Sequence, residues 1–112
     1  MPPALIYRRH SDTIEEVPLK GLPLGSPQNG RYRKKAVPVS AGDVILLMSD
    51  GFPELFNGDR EMLGYARARS ELLQVGRQSP DEILEHFRSV CNEWIGTTAR
   101  ADDVTFVVIR VK

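Results

Sequence analysis

The stretch VILLMSDGFPEL, residues 44–55, carries the most structural information in the chain. Five apolar residues run from Val44 to Met48, and Ser49, Asp50 and Gly51 follow them directly. Because the run is apolar on consecutive rather than alternate positions, it predicts a strand that is buried on both faces. The residues that follow place a carboxylate and a conformationally permissive glycine at the edge of the predicted sheet.

The composition predicts one compact soluble domain. The chain has 112 residues, of which 41% are hydrophobic, and this length suits a single core. Its 15 basic and 15 acidic residues cancel, so no general attraction to nucleic acid or to a membrane surface is expected. No apolar stretch approaches the roughly 20 residues of a membrane span. A single cysteine, Cys91, excludes an internal disulfide and fits a reducing compartment, so we expect a cytoplasmic protein.

Several other segments have the composition of strands. The glycine- and proline-rich stretch 21–30 (GLPLGSPQNG) predicts a loop among them, and Pro38 favours an edge or end position. The predicted strands, besides Val44–Met48, are Ala4–Arg8, Thr13–Leu19, Tyr32–Val39 and residues 102–111.

Two helices are predicted between the last two strands. Residues 65–75 contain strong helix formers. The second helix has an N-cap at Ser79, a proline at its first position and a capping box completed by Glu82, and Gly96 ends it. Its apolar stripe consists of Ile83, Leu84, Phe87, Val90, Cys91, Trp94 and Ile95. Strands, then helices, then a strand predict an α+β fold.

Carboxylates stand at the ends of two predicted strands. Asp50 follows one strand, and Asp102 and Asp103 precede another. If these strands are antiparallel neighbours, the carboxylates converge and suit Mg²⁺ or Mn²⁺, and Gly51 lets the backbone approach a metal closely. Two simpler interpretations remain open from spacing alone: Asp-Gly is a common turn pair, and an aspartate before a strand is often only solvated.

Other chemistries have weaker support. Cys91 lies on the apolar stripe and is predicted to be a core residue, while His86 falls on the polar side of the same helix and His10 falls in a turn. No Ser/His/Asp grouping, zinc-ligand spacing or phosphate-binding loop is visible in the sequence. A nucleophilic or zinc-dependent mechanism is therefore not predicted.

Four segments in order resemble the C-terminal half of SpoIIE/RsbU-type serine phosphatases, which belong to the metal-dependent PPM (type 2C) protein phosphatases. The segments are SAGDVILLMSDGFPELFN (40–57), EMLGYARARSELL (61–73), SPDEILEHFRSV (79–90) and ADDVTFVVIRV (101–111). PPALIYRR (2–9) and GLPLG (21–25) also resemble the hairpin and loop upstream in that family. Each motif alone is weak, but their order and spacing over nearly the whole chain make the resemblance strong.

The resemblance implies part of an α-β-β-α sandwich with two helices on one face of a mostly antiparallel sheet. It implies that Asp50 and Asp102 are catalytic metal ligands, with Gly51 beside the metal and Asp103 less consistently a ligand. In the family, two Mn²⁺ or Mg²⁺ ions hold a bridging water that attacks a phosphoserine or phosphothreonine without a covalent enzyme intermediate. The implied substrate is a small regulatory protein, an anti-sigma-factor antagonist of the STAS type.

The sequence also departs from the family pattern. Ser49 replaces the commoner threonine and Phe52 the commoner leucine, which are mild changes. The family's N-terminal half carries a further metal-binding aspartate in an Asp-x-x-Gly-His-Gly motif, which residues 1–112 lack. We therefore expect one domain that is the C-terminal portion of a phosphatase domain. Alone, it should be a poor phosphatase and should form homodimers or aggregate through its uncovered sheet.

Two rival hypotheses belong to other functional classes. The first is a non-catalytic PPM-like module that binds a partner protein. The second is an unrelated α+β interaction domain in which Asp50 and Asp102 lie far apart. Metal binding and phosphatase activity discriminate between the catalytic and the non-catalytic hypotheses.

Overall fold

The computed structural model describes residues 2–18, 37–96 and 104–112, which form one antiparallel sheet and two helices. The α+β class predicted from the sequence is confirmed. None of the helices in this described part is long and apolar enough to cross a membrane. The elements in chain order are β1 (Ala4–Arg8), β2 (Thr13–Val17), β3 (Val44–Met48), α1 (Tyr65–Val75), α2 (Pro80–Ile95) and β4 (Phe106–Arg110).

The strands are ordered β2-β1-β3-β4, and every neighbouring pair is antiparallel. One row of the sheet joins Ile6, Ile45 and Ile109 across three strands. β3 is therefore an inner strand between β1 and β4. Because β3 and β4 run in opposite directions, the end of β3 lies beside the start of β4.

The two helices cover one face of the sheet. α2 begins with the predicted capping box: the Glu82 amide donates to Ser79 Oγ at 3.2 Å, and the Ser79 amide donates to Glu82 Oε1 at 3.3 Å. Its stripe is buried at Ile83, Phe87, Val90 and Cys91, which confirms the predicted core position of Cys91. These side chains pack against Leu5, Tyr7, Val44, Leu46 and Met48 of the sheet.

The other face of the sheet is only partly covered, so the prediction that β3 is buried on both faces is wrong. Ile45 and Leu47 are half-buried, and their neighbours Val107 and Ile109 on β4 are each 46% exposed. Of the described residues outside the strands, Val37 packs against this face. The apolar run indicates that both faces of β3 are suited to burial, but it does not show which part of the protein covers the second face.

Three predicted strand boundaries need correction. β2 ends at Val17, because Pro18 has no amide hydrogen to continue the ladder. Residues 37–39 are not a strand; the remainder of the predicted strand at 32–39 and the predicted loop at 21–30 lie outside the described residues. The last strand begins at Phe106 rather than 102, with 104–105 irregular and 102–103 outside the described residues.

A buried carboxylate holds the start of β3. Asp43 is 1% exposed and accepts hydrogen bonds from the Ser40 amide (2.9 Å), the Arg9 amide (3.1 Å) and Arg8 Nη1 (3.0 Å). Burial opposes its ionisation, but these hydrogen bonds and the charge of Arg8 outweigh burial and lower the pKa of Asp43. The ionised carboxylate ties the start of β3 to the end of β1.

A second buried carboxylate joins the two helices. Glu71 of α1 lies 2.6 Å from His86 Nε2 of α2 and accepts from Arg67 Nε at 2.7 Å. Burial opposes ionisation, yet the hydrogen bonds from Arg67 and His86 prevail and lower the pKa of Glu71. His86 therefore does not simply face solvent on a polar side, as the helical spacing suggested.

We predict that Asp43→Asn lowers the free energy of unfolding by about 3 kcal/mol, because it leaves the half-buried Arg8 without its buried partner. Glu15→Gln is the matched control, since Glu15 also pairs with Arg8 but is 49% exposed, and it should cost less than about 1 kcal/mol. Urea denaturation of both variants measures the difference.

The contribution of Asp43 to the free energy of unfolding depends on pH. Because the folded pKa of Asp43 is lowered, its stabilisation is present above the ordinary aspartate range and is lost as pH falls through the lowered value. The wild type should lose more stability than Asp43→Asn over that acid range. Equal losses in the two proteins would contradict the assigned role of Asp43.

Candidate functional site

Ser49 joins the end of β3 to the residues before β4. Its amide donates to the Thr105 carbonyl at 3.0 Å, and its hydroxyl accepts from the Thr105 amide at 2.9 Å. In a regular antiparallel pair the Ser49 carbonyl would accept that second bond. Because the Ser49 hydroxyl accepts this bond, the Ser49 carbonyl accepts instead from the Phe52 amide at 3.4 Å. The strand therefore ends at Ser49, where the turn begins.

The turn after Ser49 is anchored by an aromatic cluster. Phe52 is fully buried, and its ring makes edge-to-face contacts with Phe87 at 5.5 Å and with Phe106 at 5.0 Å between centroids. These rings come from the turn, from α2 and from β4. The chain is therefore held on both sides of Asp50: by Ser49 directly before it and by Phe52 two residues after it.

Asp50 is exposed at this end of the sheet, while Gly51 beside it is buried. Met48 pairs with Phe106 and Ser49 bonds to Thr105, so Asp50 follows the last link between β3 and the chain that leads into β4, where the turn begins. Asp103 is bonded directly to Val104 in the chain. Asp102 and Asp103 themselves lie outside the described residues, so their convergence with Asp50 remains a prediction.

Tyr65 is a residue near Asp50 that the sequence analysis missed. Its hydroxyl donates to the Pro3 carbonyl at 2.9 Å. Burial, followed by the negative charges of Glu16 and Asp50, raises the pKa of Tyr65 to about 12. Asp50 is thus close enough for its charge to act on the phenol, which stays protonated at neutral pH.

Gly64 explains how Tyr65 reaches this position. It precedes α1 with a φ of 85°, a region that favours glycine, and its amide donates to the Pro53 carbonyl at 2.8 Å. This bond fastens the start of α1 to the turn that follows Asp50. The glycine ahead of the helix was the one signal in the sequence for this arrangement.

The donor atoms at this end fit a hard divalent cation only in part. Asp50 supplies the carboxylate oxygen that Mg²⁺ or Mn²⁺ prefers. Within residues 2–18, 37–96 and 104–112, no group of three or more His, Cys, Asp or Glu side chains is placed to hold a metal. A complete metal site would therefore need ligands from outside the described residues. Asp102 and Asp103, which directly precede Val104 in the sequence, are the candidates.

Two cavities flank the same end of the sheet. A cavity of about 470 Å³ lies between α2 and the start of β4, where Arg88, Asn92 and Thr105 contribute to its wall. On the opposite face, a smaller apolar cavity of about 210 Å³ is lined by residues that include Leu47 and Val107. The strand end that carries Asp50 thus has accessible space on both sides.

The fold is that of a PP2C-type phosphatase domain. The structure is similar to the SiaA-PP2C domain of Pseudomonas aeruginosa, with a TM-score of 0.73 and 22% sequence identity over 99% of this chain and 44% of that one. At this identity the likeness establishes the fold alone. This chain spans less than half the length of that domain.

The sequence itself gives the family. The family model of Stage II sporulation protein E (SpoIIE) matches residues 1–112, so the chain belongs to the SpoIIE family, as the resemblance of its motifs predicted. No curated protein sequence gives a significant match. Fold and family together identify a PPM-like phosphatase module.

We predict that Ser49→Ala destabilises the β3–β4 end, because it removes the acceptor of the Thr105 amide and costs about 1 kcal/mol of unfolding free energy. Ser49→Thr keeps a hydroxyl and is the matched control, with little change expected. Hydrogen exchange followed by NMR should show faster exchange of the Thr105 amide in Ser49→Ala only. Unchanged protection of the Thr105 amide in Ser49→Ala would mean that the Ser49 hydroxyl does not hold the end of β3 to Thr105.

Proposed function

We propose that this chain forms the C-terminal portion of a metal-dependent phosphoserine protein phosphatase domain. The observation that supports the proposal is the β3–β4 register, which joins Ser49, the residue before Asp50, to Thr105 near the start of β4, in a chain of the SpoIIE family. Residues 1–112 are one domain segment in this proposal, and the remaining metal ligands come from the N-terminal half of the phosphatase domain.

The proposed metal ligands are Asp50 and Asp102, with Gly51 lining the site and Asp103 as an auxiliary ligand. Two Mn²⁺ or Mg²⁺ ions, when bound, supply Lewis-acid stabilisation of phosphoryl oxygens and a water of lowered pKa. The chain's own contribution is to position the ligands: Ser49 and Phe52 restrain the backbone on both sides of Asp50. Tyr65 keeps its proton and holds the chain start at Pro3 beside the same end.

The proposed substrate is a phosphoserine on a small regulatory protein, with a cytoplasmic STAS-type anti-sigma-factor antagonist as the candidate. Family membership supports the substrate class, and the cavity beside Thr105 supports access by a polypeptide. Arg88 at that cavity is 72% exposed and pairs with the exposed Glu85 at 3.5 Å, and an acidic or phosphorylated segment would compete with Glu85 for its guanidinium.

The alternative is a non-catalytic PPM-like module that binds a partner protein. The described residues bring one carboxylate, Asp50, to the strand end and contain no three-ligand group. A chain that binds no metal under any condition would retain the fold and the cavities but not the chemistry. Metal binding is therefore the measurement that divides the two proposals.

We predict weak Mn²⁺ binding by the 112-residue chain, because too few protein ligands are present to hold the ion tightly. Electron paramagnetic resonance titration should show that Asp50→Asn and Asp102→Asn each weaken binding at least about tenfold. Asp81→Asn is the control, since it removes an equal charge from the exposed first turn of α2. Equal binding by Asp50→Asn and the wild type would exclude Asp50 as a ligand.

We predict that the chain alone hydrolyses a phosphoserine peptide slowly or not at all with Mn²⁺. Addition of a polypeptide that supplies the N-terminal half of a SpoIIE-type domain should restore turnover, which Asp50→Asn abolishes and Asp81→Asn leaves intact. Turnover by the unsupplemented chain within the usual enzyme range of about 1–10³ s⁻¹ would overturn the need for a second half. Partner binding without metal binding or turnover would favour the non-catalytic module.

A further inference from the structure

Residues 50–55 form the turn that carries Asp50, and hydrogen bonds within the turn connect its two ends. The Asp50 carbonyl accepts from the Glu54 amide at 3.2 Å, and the Phe52 carbonyl accepts from the Leu55 amide at 3.2 Å. Leu55, at the end of the turn, is buried. A displacement of Leu55 is therefore transmitted through these bonds to the backbone of Asp50.

The Leu55 carbonyl fastens this turn to two other parts of the fold. It accepts from the Leu63 amide, shortly before α1, at 2.8 Å, and from Trp94 Nε1 of α2 at 2.9 Å. A backbone carbonyl has two lone pairs, and both are used here. Through Trp94, α2 therefore holds the backbone of the turn that carries Asp50.

The chemical identity of residue 94 matters for this contact. Trp94 is half-buried near the end of α2, and it packs against the core cluster that includes Phe52 and Leu55. A phenylalanine could fill much of that space, but it has no donor for the Leu55 carbonyl. The indole N–H therefore adds a directional restraint on the turn that packing alone does not provide.

We propose that Trp94 is a positioning residue for Asp50, because its indole N–H holds the turn that keeps the Asp50 carboxylate at the end of β3. The bond from Trp94 to Leu55 acts after Asp50, whereas the bonds between Ser49 and Thr105 act before it, so the chain is restrained on both sides of the proposed ligand. The consequence for metal affinity rests on the proposed function, whereas the restraint on the turn is measurable without metal.

Trp94→Phe tests the restraint in the absence of metal, because it keeps an aromatic ring and removes the N–H. Hydrogen exchange followed by NMR should show faster exchange of the Glu54 amide, which donates within the turn, than in the wild type. Tyr7→Phe is the matched control: it removes the hydroxyl that Tyr7 donates to Asp12, also from an aromatic residue of the core, but beside the start of β3. Equal exchange of the Glu54 amide in the two variants overturns the proposal.

Mn²⁺ titration of the 112-residue chain by electron paramagnetic resonance tests whether Trp94 acts through Asp50. Trp94→Phe should weaken Mn²⁺ binding about fivefold, the equivalent of one neutral hydrogen bond, and Tyr7→Phe should leave it unchanged. In the Asp50→Asn background, Trp94→Phe should have no further effect, because the ligand that it positions is absent. Unchanged binding by Trp94→Phe overturns the proposal, and so does a fivefold loss that persists beside Asp50→Asn. A wild type that binds no Mn²⁺ contradicts the proposed function, and the exchange of the Glu54 amide then decides the role of Trp94 by itself.

Coupling between the Trp94 bond and metal binding is reciprocal, so bound metal must favour that bond by the same factor. Trp94 is the only tryptophan in the chain and gives a single indole N–H resonance. Saturation with the diamagnetic ion Mg²⁺ should slow the exchange of this proton in the wild type and leave it unchanged in Asp50→Asn. A wild type that binds the ion without any change in indole exchange contradicts the coupling. Circular dichroism establishes that each variant is folded.

Discussion

The hydroxyl of Ser49 accepts the Thr105 amide in place of the carbonyl that a regular ladder would use, and much of the molecule depends on this substitution. It ends β3 and frees the carbonyl to begin the turn at Phe52. It also fixes where the chain enters β4. The position of Asp50 at the end of the sheet follows from the register that the Ser49–Thr105 bonds set.

Three carboxylates in the described chain have different roles because their surroundings differ. Asp43 and Glu71 are buried, each accepts several hydrogen bonds, and their pKa values are lowered, so both act as fixed anions that join elements. Asp50 is exposed at the end of a strand, where its charge acts on Tyr65. Asp43 and Glu71 thus stabilise the fold, whereas Asp50 lies at the strand end where the metal site is proposed.

The parts of the fold with local chemical signals were predictable from sequence. The capping box at Ser79 fixed the start of α2, and the apolar run at Val44–Met48 located β3. The start of β4 was not predictable, because it depends on a side chain 56 residues away replacing a backbone acceptor. The pairing of His86 with Glu71 was missed for the same reason, since helical spacing describes one helix and not the acid on its neighbour.

At the candidate site, sequence located Asp50 through its strand end, whereas Tyr65 depends on how Gly64 sets the entry of α1. The open face shows a related limit: an apolar strand indicates that a surface should be dry without stating what covers it. Hydrophobic patterning thus predicts that a surface is suited to burial, but not which segment or partner buries it.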